Sequence, residues 1–131
     1  MSGIVARGWA TVELERAVAE LGGSLAAGTR FEPAKSSTAL GARCFRGTSA
    51  DGSGVIVLLE PVTEGRLAGF LARHGEGWAA TWVDAADADT VGRRPVATEG
   101  ATPGPFGPEQ LERGSPWGPF RLRVAPATIG R

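Results

Sequence analysis

Glu60 and His74 are the two side chains of this 131-residue sequence whose surroundings suit proton transfer. Glu60 ends the apolar run "VIVLLE" (55–60), and burial there would lift its carboxyl toward the range of a useful acid or base. Pro61 follows at once, so the plainer reading is a strand end that is exposed or paired with an arginine. His74 falls on the helical stripe Leu67, Phe70, Leu71, His74. Its plainer reading is a histidine at a helix C-terminus, where the dipole favours it. The sequence holds one histidine and one cysteine, so no serine or threonine has a second histidine to activate it. The same scarcity rules out an ordinary structural zinc site. Cys44 reads as a buried small hydrophobe; with no partner for a disulfide, an intracellular setting is the default.

Binding chemistry is concentrated elsewhere. Three of the four tryptophans lie on two small-residue strands, "GWATV" (8–12) and "WAATWVD" (78–84). The stretch "IVARGWATV" (4–12) alternates: Ile4, Ala6, Gly8, Ala10 and Val12 make a small apolar face suited to lie under a helix. Val5, Arg7, Trp9 and Thr11 make a polar and aromatic one. Trp78 and Trp82, four residues apart, are expected on a single face of their strand. Flat indole faces with the guanidinium groups of Arg7, Arg121 or Arg123 suit a planar, partly anionic or carbonyl-rich molecule. Core filling by the tryptophans and solvated strand edges for the arginines are the alternatives. Trp117 reads as a loop anchor.

The elements that would position these groups follow from periodicity and turn residues. A helix is expected at about 13–22, with Leu14, Ala17, Val18 and Leu21 on one stripe and Gly22 as its stop. Three strands follow, "SLAAGTRF" (24–31), "ALGARCFRG" (39–47) and "GVIVLLEP" (54–61), the last apolar enough to be central. "TEGRLAGFLARHGEG" (63–77) reads as a helix with Thr63 as N-cap and Gly75 or Gly77 as stop. "WAATWVDA" is a strand, "DAADADTVGRR" (84–94) a short helix and "PVATEGA" (95–101) a short strand. The Gly/Pro-rich stretch 102–120 reads as a long loop before the last strand, "FRLRVAP" (120–126). The halves repeat: Trp9 and Trp82 fall at matching places, and Gly54 matches Gly118 in a tight turn entering the last strand of each half.

A formal net charge of zero and a pI near 6.6 leave no basic field for nucleic acid or an anionic membrane. No apolar run approaches the ~20 residues that span a bilayer. A cytoplasmic protein of one domain is expected.

Paired β-α-β-β-β modules, "VELERA" after the first strand, "LLEP" closing the fourth, "HGEG" before the fifth, and "SPWGPFRL" as a variant of an Asp-Pro-x-Gly-Asn turn resemble the vicinal oxygen chelate superfamily of glyoxalases and bleomycin-resistance proteins. The resemblance implies an α+β fold over 1–131, module one at about 1–62 and module two at about 63–131, forming a cupped mixed sheet around a ligand cavity. It places Trp9, Trp78 and Trp82 in the cup, with Thr11 on the Trp9 face and Arg7, Arg121 and Arg123 at floor or rim. It also implies a homodimer. In that superfamily a divalent metal is held at four strand positions, which here fall on Arg7 or a neighbour, Val57 or Leu58, Ala80, and Leu122 or an adjacent arginine. None can ligate a cation. The expectation is therefore a cofactor-free, metal-independent binder of an organic, natural-product-like small molecule, of the resistance or sequestration type. The alternative is a cofactor-free isomerase, cyclase or lyase using Glu60 or His74.

Overall fold

The computed structural model describes residues 4–24, 30–48, 54–84, 98–114 and 118–124. Its elements run β1 (Ile4–Ala10), α1 (Leu14–Ser24), β2 (Arg30–Ser37), β3 (Ala42–Thr48), β4 (Val55–Pro61), α2 (Arg66–His74), β5 (Gly77–Asp84), β6 (Glu109–Leu111) and β7 (Phe120–Val124). The strands form one curled mixed sheet in the order β2-β3-β4-β1-β5-β7-β6. β1 and β5 meet antiparallel at its centre. Each then pairs in parallel with the last strand of its own half, β1 with β4 and β5 with β7. An antiparallel strand lies beyond each, β3 and β6. Apart from β2, which has no counterpart strand among the described residues, the topology is symmetric about the β1–β5 seam.

The curl brings the two edge strands together. The Ser37 hydroxyl at the end of β2 donates to the Glu109 carboxylate at the start of β6, 2.6 Å away. The side of the sheet carrying this contact is the inside of the cup. Strand pairing puts Ala6, Gly8 and Ala10 of β1 on that side, beside Val57 and Leu59 of β4 and Ala80 and Trp82 of β5. Leu67 and Phe70 of α2, and Phe106 from the segment before β6, complete its core. The outer side is covered over module one by α1, whose Leu14 and Ala17 pack on Ile56 and Leu58, with Trp9, Val18, Phe31 and Phe45 around them.

Several boundaries differ from the periodicity. α1 runs through Gly22 to Ser24. α2 starts from Gly65 with no side-chain cap, so Thr63 is not its N-cap, and Gly75 at φ 76° ends it. β2 lies six residues later than expected and contains Pro33. A proline that removes a ladder donor is tolerated because β2 is an edge strand. The proline-rich stretch expected as a loop contains β6, and Thr98 and Thr102 form bridges to Glu112 and Glu109. Of the two matched turn glycines, Gly118 has φ 76° and no room for a Cβ beside Phe70 and Phe120, whereas Gly54 faces open space. The short helix expected at 84–94 lies outside the described residues but for Asp84, which ends β5; residues 95–97 of the expected 95–101 strand and Trp117 also lie outside them, and Thr98 makes a single bridge where that strand was expected. Among the described residues no helix is long and apolar enough to cross a membrane.

Candidate functional site

At the middle of the cup, Gly8 stands opposite Val57 on one side and Ala80 on the other, and Ala80 opposite Phe120. These are inward positions of β1, β4, β5 and β7, Phe120 being the first residue of its strand. Not one of them carries an oxygen, nitrogen or sulfur side-chain donor, so the set does not fit a divalent metal. The space is taken by Trp82, which is fully buried. Its ring lies so close over Gly8 that a Cβ there would stand 2.8 Å from Trp82 Cζ3 and from Leu59 Cδ1. The small residues of β1 make room for this indole.

Trp82 is held at both ends. Its indole N–H donates to Glu109 Oε1 at 2.8 Å, and its ring meets Phe106 edge-on at 5.7 Å. Glu109 is fully buried, and its backbone exchanges two hydrogen bonds with Thr102. Desolvation pushes its carboxyl above the ordinary value of 4.5, although the Ser37 and Trp82 donors oppose the shift. Beside it, burial pushes the Cys44 thiol up to about 12, so Cys44 is the inert buried hydrophobe expected. Glu109 gives a clear pH dependence. Between its ordinary and its raised value the native form holds a proton that the unfolded chain has released, so the stability this group contributes is full below the ordinary value and is lost as pH rises through the raised one. Urea midpoints measured from pH 4.5 upward should decline more in wild type than in Glu109→Gln; parallel curves would contradict this.

The other expected site residues are distributed differently. Arg7, Trp9 and Trp78 lie together on the outer side: the Arg7 guanidinium is 4.5 Å from the Trp78 ring, and Trp78 meets Trp9 at 5.1 Å, nearly perpendicular. Trp78 does not share a face with Trp82, because the pairing slips between Gly8–Ala80 and Trp9–Trp78. One extra residue in β5 inverts the alternation beyond it. Arg121 and Arg123 share the acceptor Glu112, at 3.3 and 2.9 Å. They alternate with the buried inner-side residues Phe120, Leu122 and Val124, and so take the outer side. Thr11 is buried; its hydroxyl donates to Glu76 at 2.7 Å and accepts from the Glu13 N–H.

Glu60 and His74 are not brought together. Glu60 accepts from the Leu14 N–H at the start of α1, at 2.9 Å, and from Arg43. It is the arginine-paired strand end, with a helix-capping role added. His74 is exposed at the end of α2, with its ring 4.8 Å from Phe70. Glu76 was not anticipated. It accepts from Val12 N–H, Thr11 and Arg16, and these donors, the backbone one foremost, hold its carboxyl below the ordinary range.

Among the described residues, open space lies between β2, β3 and the segment before β6. It is a cavity of about 570 Å³ whose lining includes Arg30, Glu32, Lys35, Arg46, Thr48 and Pro105. The Arg46 guanidinium stacks 4.5 Å from the Phe106 ring and donates to the Pro105 carbonyl at 3.5 Å. A column Trp82–Phe106–Arg46 therefore runs from the filled centre of the cup to this cavity. Sequence alternation alone could have aligned Arg46 with Cys44, but not Phe106 above it.

No family model matches the chain, and no curated protein matches it. Solved structures do. A Streptomyces coelicolor methylmalonyl-CoA epimerase in complex with 2-nitronate-propionyl-CoA superposes with a TM-score of 0.71 at 19% identity, over 95% of this chain and 97% of that one. Methylmalonyl-CoA epimerase from Mycobacterium tuberculosis gives 0.69 at 22%, over 95% and 89%. A hypothetical protein from Bacillus halodurans gives 0.66 at 20%, over 92% and 91%. Identities this low speak to architecture alone: the curled sheet of this chain has the fold of these epimerases.

Proposed function

We propose that this protein binds an organic small molecule on the inner side of its sheet, without a metal ion, as a sequestration or resistance-type module. The observation that carries the reading is the centre of the cup. Four facing strand positions present Gly8, Val57, Ala80 and Phe120, and the Trp82 indole occupies the space above them. That chemistry is apolar and aromatic, with no donor for a cation. The cavity beside it, about 570 Å³, falls within the size range of small-molecule sites. Two of the structural neighbours are complexes with 2-nitronate-propionyl-CoA and with methylmalonyl-CoA, which agrees with an organic ligand here. Trp82 enters this reading as the prop that positions Phe106 and Arg46. The reading includes a homodimer, since β2 leaves a strand edge to cover.

A second reading, a cofactor-free isomerase or lyase, is favoured by Glu109 rather than by Glu60 or His74. A buried carboxyl held protonated above its ordinary range is the kind of group that proton transfer uses. One experiment separates the two. Chelator-treated protein is titrated with aromatic acids, acyl-CoA thioesters and neutral aromatics by tryptophan fluorescence, and each ligand is then recovered and weighed by mass spectrometry. Saturable binding with unaltered ligand is expected. An altered ligand whose formation disappears in Glu109→Gln would replace the binding reading with the enzymatic one.

A further inference from the structure

The lining of the cavity is unequal in charge: Arg30, Lys35 and Arg46 against the single carboxylate of Glu32. Strand register places Arg30 opposite Thr48 and Glu32 opposite Arg46. These residues continue the row that carries Ala34 and buried Cys44, so they belong to the inner side of the sheet. Among the described residues none of the three cations forms an ion pair, even though Glu32 is Arg46's cross-strand neighbour; the ion pairs of the fold use Arg16, Arg43, Arg66, Arg121 and Arg123. Three cations and one carboxylate around a concavity leave a net positive field. Arg46 is also oriented in advance. Its guanidinium plane is fixed over Phe106, and one of its N–H groups is used by Pro105, so the remaining donors point from a set plane. A guanidinium so held matches the forked oxygens of a phosphate, and carrying little residual freedom it loses less on binding.

We propose that this cavity takes a small organic dianion of the phosphate-monoester type, its phosphate held by Arg30 and Arg46 with Lys35 at the rim, and its organic body against Ala34 and Pro105. The proposal rests on the metal-independent binding reading above and adds the ligand's charge class. The charge excess favours a dianion over a monocarboxylate, because one carboxylate would leave the field half neutralised. The volume favours an organic phosphate over free phosphate, which would leave most of the space to water.

Nuclear magnetic resonance titrations of the whole chain test this with three probes: phenyl phosphate, inorganic phosphate and benzyl alcohol. Phenyl phosphate should bind saturably, with amide shifts gathered on Ala34, Gly47 and Thr48. It should bind about 10-fold tighter than inorganic phosphate, and benzyl alcohol should not saturate. The double substitution Arg30→Gln with Lys35→Gln, at exposed positions, should weaken phenyl phosphate by about 10-fold or more without moving the melting temperature, and Glu32→Gln should tighten it. Phenyl phosphate that saturates at other residues, or with unchanged affinity in the double variant, overturns the proposal while leaving the binding reading intact. If benzyl alcohol binds as well as phenyl phosphate, the charge class is wrong. If no organic ligand at all binds the metal-free protein, the underlying reading fails as well.

Discussion

Replacing Trp82 by alanine is expected to destabilise the protein by roughly 3–5 kcal/mol, the range for deleting a buried large aromatic side chain. The residue is fully buried, supports Phe106 and satisfies Glu109. Its loss therefore leaves both a void over Gly8 and a buried carboxyl with Ser37 as its remaining side-chain donor. A small domain has only about 5–15 kcal/mol of stability in all, so this one substitution consumes much of it. Trp78→Ala is the contrast. Trp78 is 37% exposed, and losing its contacts with Trp9 and Arg7 should cost about 1 kcal/mol. Urea denaturation of both variants separates them; equal losses would mean that the cup is not filled by Trp82.

Gly104→Ala should be nearly as damaging, for a different reason. A Cβ at that position would overlap Oε1 and Cδ of Glu109. The carboxyl is wedged between Gly104, Ser37 and Trp82, so it cannot yield without giving up its donors. Forced overpacking of this kind costs about 3 kcal/mol. The diagnostic is a double-mutant cycle. In a Glu109→Ala background the obstructing carboxyl is gone, and adding Gly104→Ala should then cost below about 1 kcal/mol. An undiminished cost in that background would place the strain in the backbone instead.

Most of the architecture could be read in the sequence, because β1, β3 and β7 alternate, β4 is an apolar run and both helices form where their stripes predict them. What escaped reading depends on contacts between distant residues. β2 is polar, edge-placed and broken by Pro33, so it offers no clean period. β6 is three residues long in a proline-rich stretch. The faces of the tryptophans differ from expectation through one inference. The small apolar side of β1 looked like a surface for a helix, but its small residues receive the Trp82 indole, and Trp9 goes to the outer side with α1. A bulge in β5 then separated Trp78 from Trp82. Glu109 gives no local signal at all: its burial comes from Ser37, 72 residues away. Arg46 likewise reads as one more strand arginine until Phe106 is placed beneath it.

The proposed metal-free binding is checked by calorimetry of chelator-treated protein. The protein is titrated with Zn²⁺, Co²⁺ and Ni²⁺, and then with an organic ligand in the presence and absence of each ion. The account predicts no stoichiometric metal binding tighter than about millimolar and the same ligand affinity in every case, because Gly8, Val57, Ala80 and Phe120 supply no ligating atom. One metal bound per chain at micromolar affinity or better, with organic ligand binding that appears only once the metal is present, would contradict it.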